Sequence, residues 1–251
     1  MPPMDASPIP AAPRPRRRRR ILLVLVALLV AAGILVWLLF QRVPDWYQPV
    51  VVTAADKTQV LANLTHTTED FTQQLRNVGV PFEYRLTQDQ INAWWAIREE
   101  VWPLAREWIP AGVLEPMIVL EDGAIRLAAR CELGGIQTVV SARLLVDGSK
   151  DGLALRLDSV SGGRLPIPVI AVRELLGQLD GSVWPAGRVL RQQYFNEPLP
   201  PLAGLPEGIV LPNSWVWQNG EFKAPMWIKS LQVRPGEIVA TVEPLPRQSR
   251  R

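Results

Sequence analysis

The pattern of apolar and polar positions changes character several times along this chain. From Ile21 to Phe40 it is unbroken: twenty consecutive residues carry no charge. At 1.5 Å per helical residue such a run is about 30 Å long, the thickness of a bilayer's hydrocarbon core. A helix also satisfies every backbone group internally, which a lipid environment demands. One transmembrane helix is therefore predicted over residues 21–40. An amphipathic stretch follows. Thr53 to Asn77 lacks Pro and Gly, and Val60, Leu64, Phe71 and Leu75 fall on one helical stripe.

Pro81 to Leu86 alternates, with Phe82, Tyr84 and Leu86 on one face, and predicts a short strand. Thr87-Gln88-Asp89-Gln90 reads as a capping box, so a helix is expected through Ile91, Trp94, Trp95 and Arg98. A second short helix is expected to open at Pro103 and end before Pro110. The period then falls to two. In Ala124 to Leu133 the odd positions Ile125, Leu127, Ala129, Cys131 and Leu133 are predicted inward, opposite Arg126, Arg130 and Glu132. Gln137 to Asp147 repeats the alternation through Thr138, Val140, Ala142, Leu144 and Val146, and Gly152 to Val160 through Leu153, Leu155 and Leu157. With Met117 to Glu121 and turns at Asp122-Gly123, Gly134-Gly135 and Asp147–Gly152, these segments predict a four-strand antiparallel meander.

Helical spacing returns at Val169, Val172, Leu175, Leu176 and Leu179, and again over Val183 to Phe195. The C-terminal part reads as strands at Gly208–Leu211, Trp215–Trp217, Met226–Arg234 and Glu237–Val242, with turns at Asn219-Gly220 and Pro235-Gly236. The expected fold class is thus α+β: an N-terminal transmembrane helix, then a long curved antiparallel sheet with two or more helices against its concave face. The predicted organisation is a Pro/Arg-rich disordered cytoplasmic tail (1–20), the span (21–40), a juxtamembrane linker (41–52), an extracytoplasmic domain (53–244) and a tail (245–251).

Charge sets the orientation. Arg16 to Arg20 abut the apolar run, and clustered basic residues stay in the cytoplasm, so the residues after Arg42 are expected outside the cytoplasmic (inner) membrane. A cleaved signal peptide usually has an apolar region of only about 7 to 15 residues, which favours an uncleaved signal-anchor here. Trp37, Trp46 and Tyr47 match the aromatic enrichment of a membrane interface. The net charge of +3 conceals an asymmetry: seven of the 27 basic residues and only one acid precede Pro44, which leaves 20 basic against 23 acidic groups beyond it. A net of −3 argues against a nucleic-acid partner.

Candidate chemistry is sparse. His66 is the only histidine and Cys131 the only cysteine, so neither a common zinc site, a His-based nucleophilic site nor an intrachain disulfide can be assembled. Cys131 reads as a small buried hydrophobe. No GxGxxG, P-loop or GxSxG sequence occurs, and no catalytic, cofactor or metal-binding residue is nominated. The sequence contains ten tryptophans; Trp215 and Trp217 share a strand face and are expected to pack in a core.

The motif Leu86-Thr87-Gln88-Asp89-Gln90-Ile91-Asn92-Ala93, the meander, and Gly162-Gly163-Arg164-Leu165-Pro166-Ile167-Pro168 before a helix together resemble the YpmS-like family of bacterial single-pass membrane proteins of unknown function. The likeness spans residues 20–242 in the order of elements. It departs at the tryptophan-rich segment and at the proline-rich stretch from Leu199 to Pro206. A more distant likeness is to tubular lipid-binding envelope domains, in which a curved sheet wraps a long helix around an apolar groove. That likeness implies a lipid or other hydrophobic ligand, with no functional residue carried over. The small inward residues Ala129, Cys131 and Ala142 would let a helix approach closely or leave room for an acyl chain, and the candidate lining is Leu127, Ala129, Cys131, Val140, Ala142, Leu144 and Leu155. The expectation is a non-enzymatic envelope protein with an apolar ligand between sheet and helix. An envelope scaffold with a protein partner is the alternative, and a carboxylate-based hydrolase the third.

Overall fold

The computed structural model describes residues 16–101, 112–133, 135–149, 152–173 and 200–246. The chain divides into two compact units, Met1–Leu39 and Phe40–Arg251. The described residues of the first, 16–39, all lie in helix α1 (Arg16–Gln41). Its stretch Ile21–Gln41 contains an 18-residue window with a mean hydropathy of 3.1, none of it buried, so it is long and apolar enough to cross a membrane.

The second unit is α+β. After α2 (Ala54–Gln74) come β1 (Phe82–Thr87), α3 (Gln88–Ala96), α4 (Arg98–Val101), β2 (Val113–Glu121), β3 (Ala124–Leu133), β4 (Ile136–Ser149), β5 (Gly152–Gly162) and β6 (Leu165–Ile167). A 3-10 turn at Leu202–Gly204 precedes β7 (Ile209–Leu211), β8 (Ser214–Asn219), β9 (Phe222–Arg234) and β10 (Glu237–Pro244). The helix expected from Val169 is present at 169–173. Its remainder, the helix expected over 183–195 and the one from Pro103 lie outside the described residues.

Where one long sheet is expected from the sequence, the strands form two open antiparallel sheets. The meander is sheet β2-β3-β4-β5-β6, with β7 also paired to β5, and the second sheet runs β1-β10-β9-β8. The division follows from β1, which pairs with the last strand, Phe82 opposite Val242 and Thr87 opposite Glu237. The C-terminal hairpins are thereby drawn to β1 instead of extending the meander. Phe71 of α2 and Leu75, its C-cap, pack on this smaller sheet with Ala224, Met226 and Val242, and Trp215 and Trp217 join that cluster. The Phe71 ring meets Tyr84 at 4.4 Å and Trp217 at 4.8 Å.

The two sheets meet in a core of Ile118, Leu120 and Val233, flanked by Ile91, Ile125, Val146, Leu231 and Ile238. Their turns are tied by main-chain bonds, Gly123 N–H to Val233 O at 3.0 Å and Gly236 N–H to Leu120 O at 3.1 Å. Gly148 permits the approach: a Cβ there would lie 2.3 Å from the Leu231 carbonyl oxygen.

Helix α3 covers the free edge of β2. Thr87 caps it and the Gln90 side chain returns the capping-box bond. Gln88 Oε1, one turn before Asn92, accepts from Leu120 N–H at 2.7 Å. Asn92 both donates to Ile118 O at 2.9 Å and accepts from Ile118 N–H at 2.7 Å. The motif that carries the family resemblance is therefore occupied with sealing a sheet edge that would otherwise pair with another chain.

Candidate functional site

Cross-strand register assigns the larger sheet's two faces. One face carries the rows Ile118-Leu127-Ala142-Val160, Leu120-Ile125-Leu144-Leu157 and Ala129-Val140-Gly162, with Cys131 opposite Thr138 and Val146 opposite Leu155. All seven candidate lining residues lie on it. None is fully buried: Leu127 is 38% exposed, and Ala129, Cys131, Val140, Ala142, Leu144 and Leu155 are half-buried. Buried residues frame them, Ile118 and Leu120 on β2 and Leu157 and Val160 on β5. The result is an apolar strip down the middle of the face. From Thr138 to Val146, at about 3.4 Å per residue, it runs about 27 Å, and it ends at the core between the sheets.

At the other end stands Phe40, the penultimate residue of α1 and the first of the compact domain. Thr138 Oγ1 donates to its carbonyl at 2.5 Å, which satisfies one of the four carbonyls that a helix C-terminus leaves without a partner. The Phe40 ring lies over Gly162, where a Cβ would come within 2.5 Å of it. Sequence periodicity gives no sign of either contact, because both join positions about a hundred residues apart.

The opposite face is closed by the segment after α1. Tyr47 is buried with Met117, Ala128 and Val139, and Trp46 packs beside them. Ala128, on the same face of β3 as Arg126 and Arg130, is thus a core residue, and Ala124 is buried too. Strand β2 bulges between Leu114 and Met117, and Glu115 takes φ +48° there. Tyr47 hydroxyl fills the gap in the ladder, donating to Glu115 O at 2.7 Å and accepting from Arg130 N–H at 3.0 Å. Burial raises its pKa against the lowering effect of the Arg130 bond. Tyr47 is therefore packed and hydrogen-bonded within the domain. Pro44 is buried as well, so the stretch 41–52 that reads as a linker is anchored to the domain at Pro44 and Tyr47. Trp37 is 45% exposed on α1.

Charge on this face is paired. Glu121 bonds Arg126 at 2.7 Å and Arg143 at 2.6 Å, and Arg143 also reaches Asp158 at 2.8 Å. Arg126 lies 5.0 Å from the Trp46 ring centroid. Burial alone would raise the Glu121 carboxyl, but the hydrogen bonds from Arg143 and Arg126 hold it below the ordinary range. Burial pushes the Cys131 thiol up, only partly offset by Val140 N–H, so it is a poor thiolate. Among the described residues no group of three or more His, Cys, Asp or Glu is placed to hold a metal ion.

A cleft of about 390 Å³ opens elsewhere, lined by Leu75, Arg76, Val78, Phe222 and the C-terminal Leu245 and Pro246 among others. None of the seven strip residues lines it. No protein-family model, characterised protein or solved structure matches this chain.

Proposed function

We propose that this is a single-pass protein of the cytoplasmic membrane, with residues 1–20 inside and the folded domain outside, and that the domain binds the acyl part of a lipid, or a similar apolar ligand, along the strip. The supporting observation is the continuity of the strip: half-exposed apolar side chains on β3, β4 and β5 begin beside Phe40, one residue after the apolar helical unit, and lead to the interior core. An antiparallel sheet with one solvated face carries its charges there and buries the apolar face; here Arg126, Arg130 and Arg143 lie on the face opposite the strip, yet the apolar strip itself is left half-exposed. Ala129 and Ala142 add little side-chain bulk to the strip, and each methylene laid against it is worth about 0.8 kcal/mol when removed from water. The arginine run that opens α1 supports the orientation.

The test is photocrosslinking in the full-length protein in membranes. A benzophenone amino acid at Ala142 or Leu127 is expected to capture labelled phospholipid, and one at Arg156, exposed on the opposite face, is not. Capture of a discrete protein at Ala142 and Leu127 in place of lipid would establish the scaffold alternative. Equal lipid labelling at all three sites would refute a strip-specific site.

A further inference from the structure

The segment joining α1 to α2 carries apolar surface that the domain does not use. Val51 is 82% exposed, more than any large apolar side chain of α1 itself, and Val43 and Val50 are 45% and 41% exposed. The same few residues contain buried Pro44 and Tyr47, so this is not a chain free to turn its valines inward. Both ends of the stretch 40–47 are fixed to the same end of one sheet. Phe40 is held by Thr138 and Tyr47 by the Arg130 amide, and Thr138 pairs with Cys131, the neighbour of Arg130. Thr138 and Tyr47 lie on opposite faces, so residues 40–47 hook over the edge and present Val43 outward, with Val50 and Val51 following within four residues of Tyr47.

We propose that residues 43–51 form a ledge that lies in the phospholipid headgroup layer of the membrane that α1 crosses, and so set the height at which the sheet stands. This rests on the reading of α1 as a span. Three features select a bilayer surface as the partner. The valines begin three residues after the apolar run ends. Exposed Arg42 stands beside them, suited to lipid phosphate, and half-buried Trp46 sits within the segment, the side chain enriched at that depth. A second copy of the chain is a poorer occupant, since a stable protein interface needs about 800 Å² from each partner and three valine side chains fall well short of that. The ledge would place Phe40, and with it that end of the strip, at the level where acyl chains begin.

Nitroxide labels on the full-length protein in phospholipid nanodiscs, in a Cys131→Ser background, test this. Labels at Val43 and Val51 are expected to show a higher ratio of oxygen to nickel-complex accessibility than a label at Val78, an exposed apolar position the ledge excludes. A label at Leu29 separates the two readings. A high ratio at Leu29 with a Val51 value equal to Val78 overturns the ledge and leaves the span standing. A low ratio at Leu29 overturns both. Spin–spin broadening at Val51 would assign the surface to a second copy and likewise overturn the ledge.

Discussion

Asn92 hydrogen-bonds both main-chain groups of Ile118, donating to its carbonyl at 2.9 Å and accepting from its N–H at 2.7 Å. A side-chain amide thus stands in for the missing neighbour of an edge strand. Both residues are buried, so Asn92→Leu leaves a donor and an acceptor without water or partner. The expected loss is about 2 to 6 kcal/mol in denaturant unfolding, from two unsatisfied groups at about 1 to 3 kcal/mol each. Gln88→Leu, which frees only the less buried Leu120 N–H bond, is expected to cost less.

Gly148 is the second point on which the joining of the sheets depends. Gly148→Ala drives a methyl against the main chain of Leu231, at 2.3 Å from its oxygen and 2.7 Å from its nitrogen. Neither atom can rotate aside. A loss of about 2 kcal/mol or more is expected, with faster amide exchange at Gly123 and Gly236, whose bonds tie the turns together.

Alkali should expose two phenols late. Burial, with the nearby Asp70 carboxylate, pushes Tyr84 up to about 12, and burial raises Tyr47 as well. Both folded-state values lie above the unfolded value of about 10. The neutral phenol is therefore the form the fold favours: its contribution is complete below pH 10 and lost as pH rises through the folded values. Phenolate absorbance is expected to show Tyr84 ionising only near unfolding, and Tyr84→Phe is expected to flatten the stability decline between pH 10 and about 12.

Glu121 behaves in the opposite sense. Its carboxyl is held low by Arg143 and Arg126 despite burial, so its contribution is present above the unfolded value and fades as pH falls through the folded one. Glu121→Gln is expected to cost about 1 kcal/mol at neutral pH and little in acid. Unfolding curves at neutral and acidic pH distinguish this from a pH-independent packing effect.

Much of the local structure is legible in the sequence. Strand β3 has the bounds that alternation gives, Ala124–Leu133, and the Thr87 capping box forms as its spacing requires. Strands containing proline are underread: β2 starts at Val113 and β9 at Phe222, before Pro116 and Pro225. A proline without an N–H reads as a break, yet a bulge at Pro116 accommodates one. What is not legible is long-range pairing. Nothing in Phe82–Thr87 points to a partner at Glu237–Val242, and so the division into two sheets is hidden. Alternation gathers the seven strip residues correctly onto one face, but it reports which side chains share a face and not how deeply each is covered. It likewise assigns Tyr47 by proximity to the apolar run, whereas the bulge that uses its hydroxyl lies in a strand 68 residues away.

The strip is most directly tested by mass spectrometry of full-length wild type and Ala142→Arg, each carried through the same detergent exchange and checked for folding by circular dichroism. The apolar-ligand account predicts that wild type retains a discrete stoichiometric lipid that the arginine variant loses. The same lipid content in both folded proteins would contradict it.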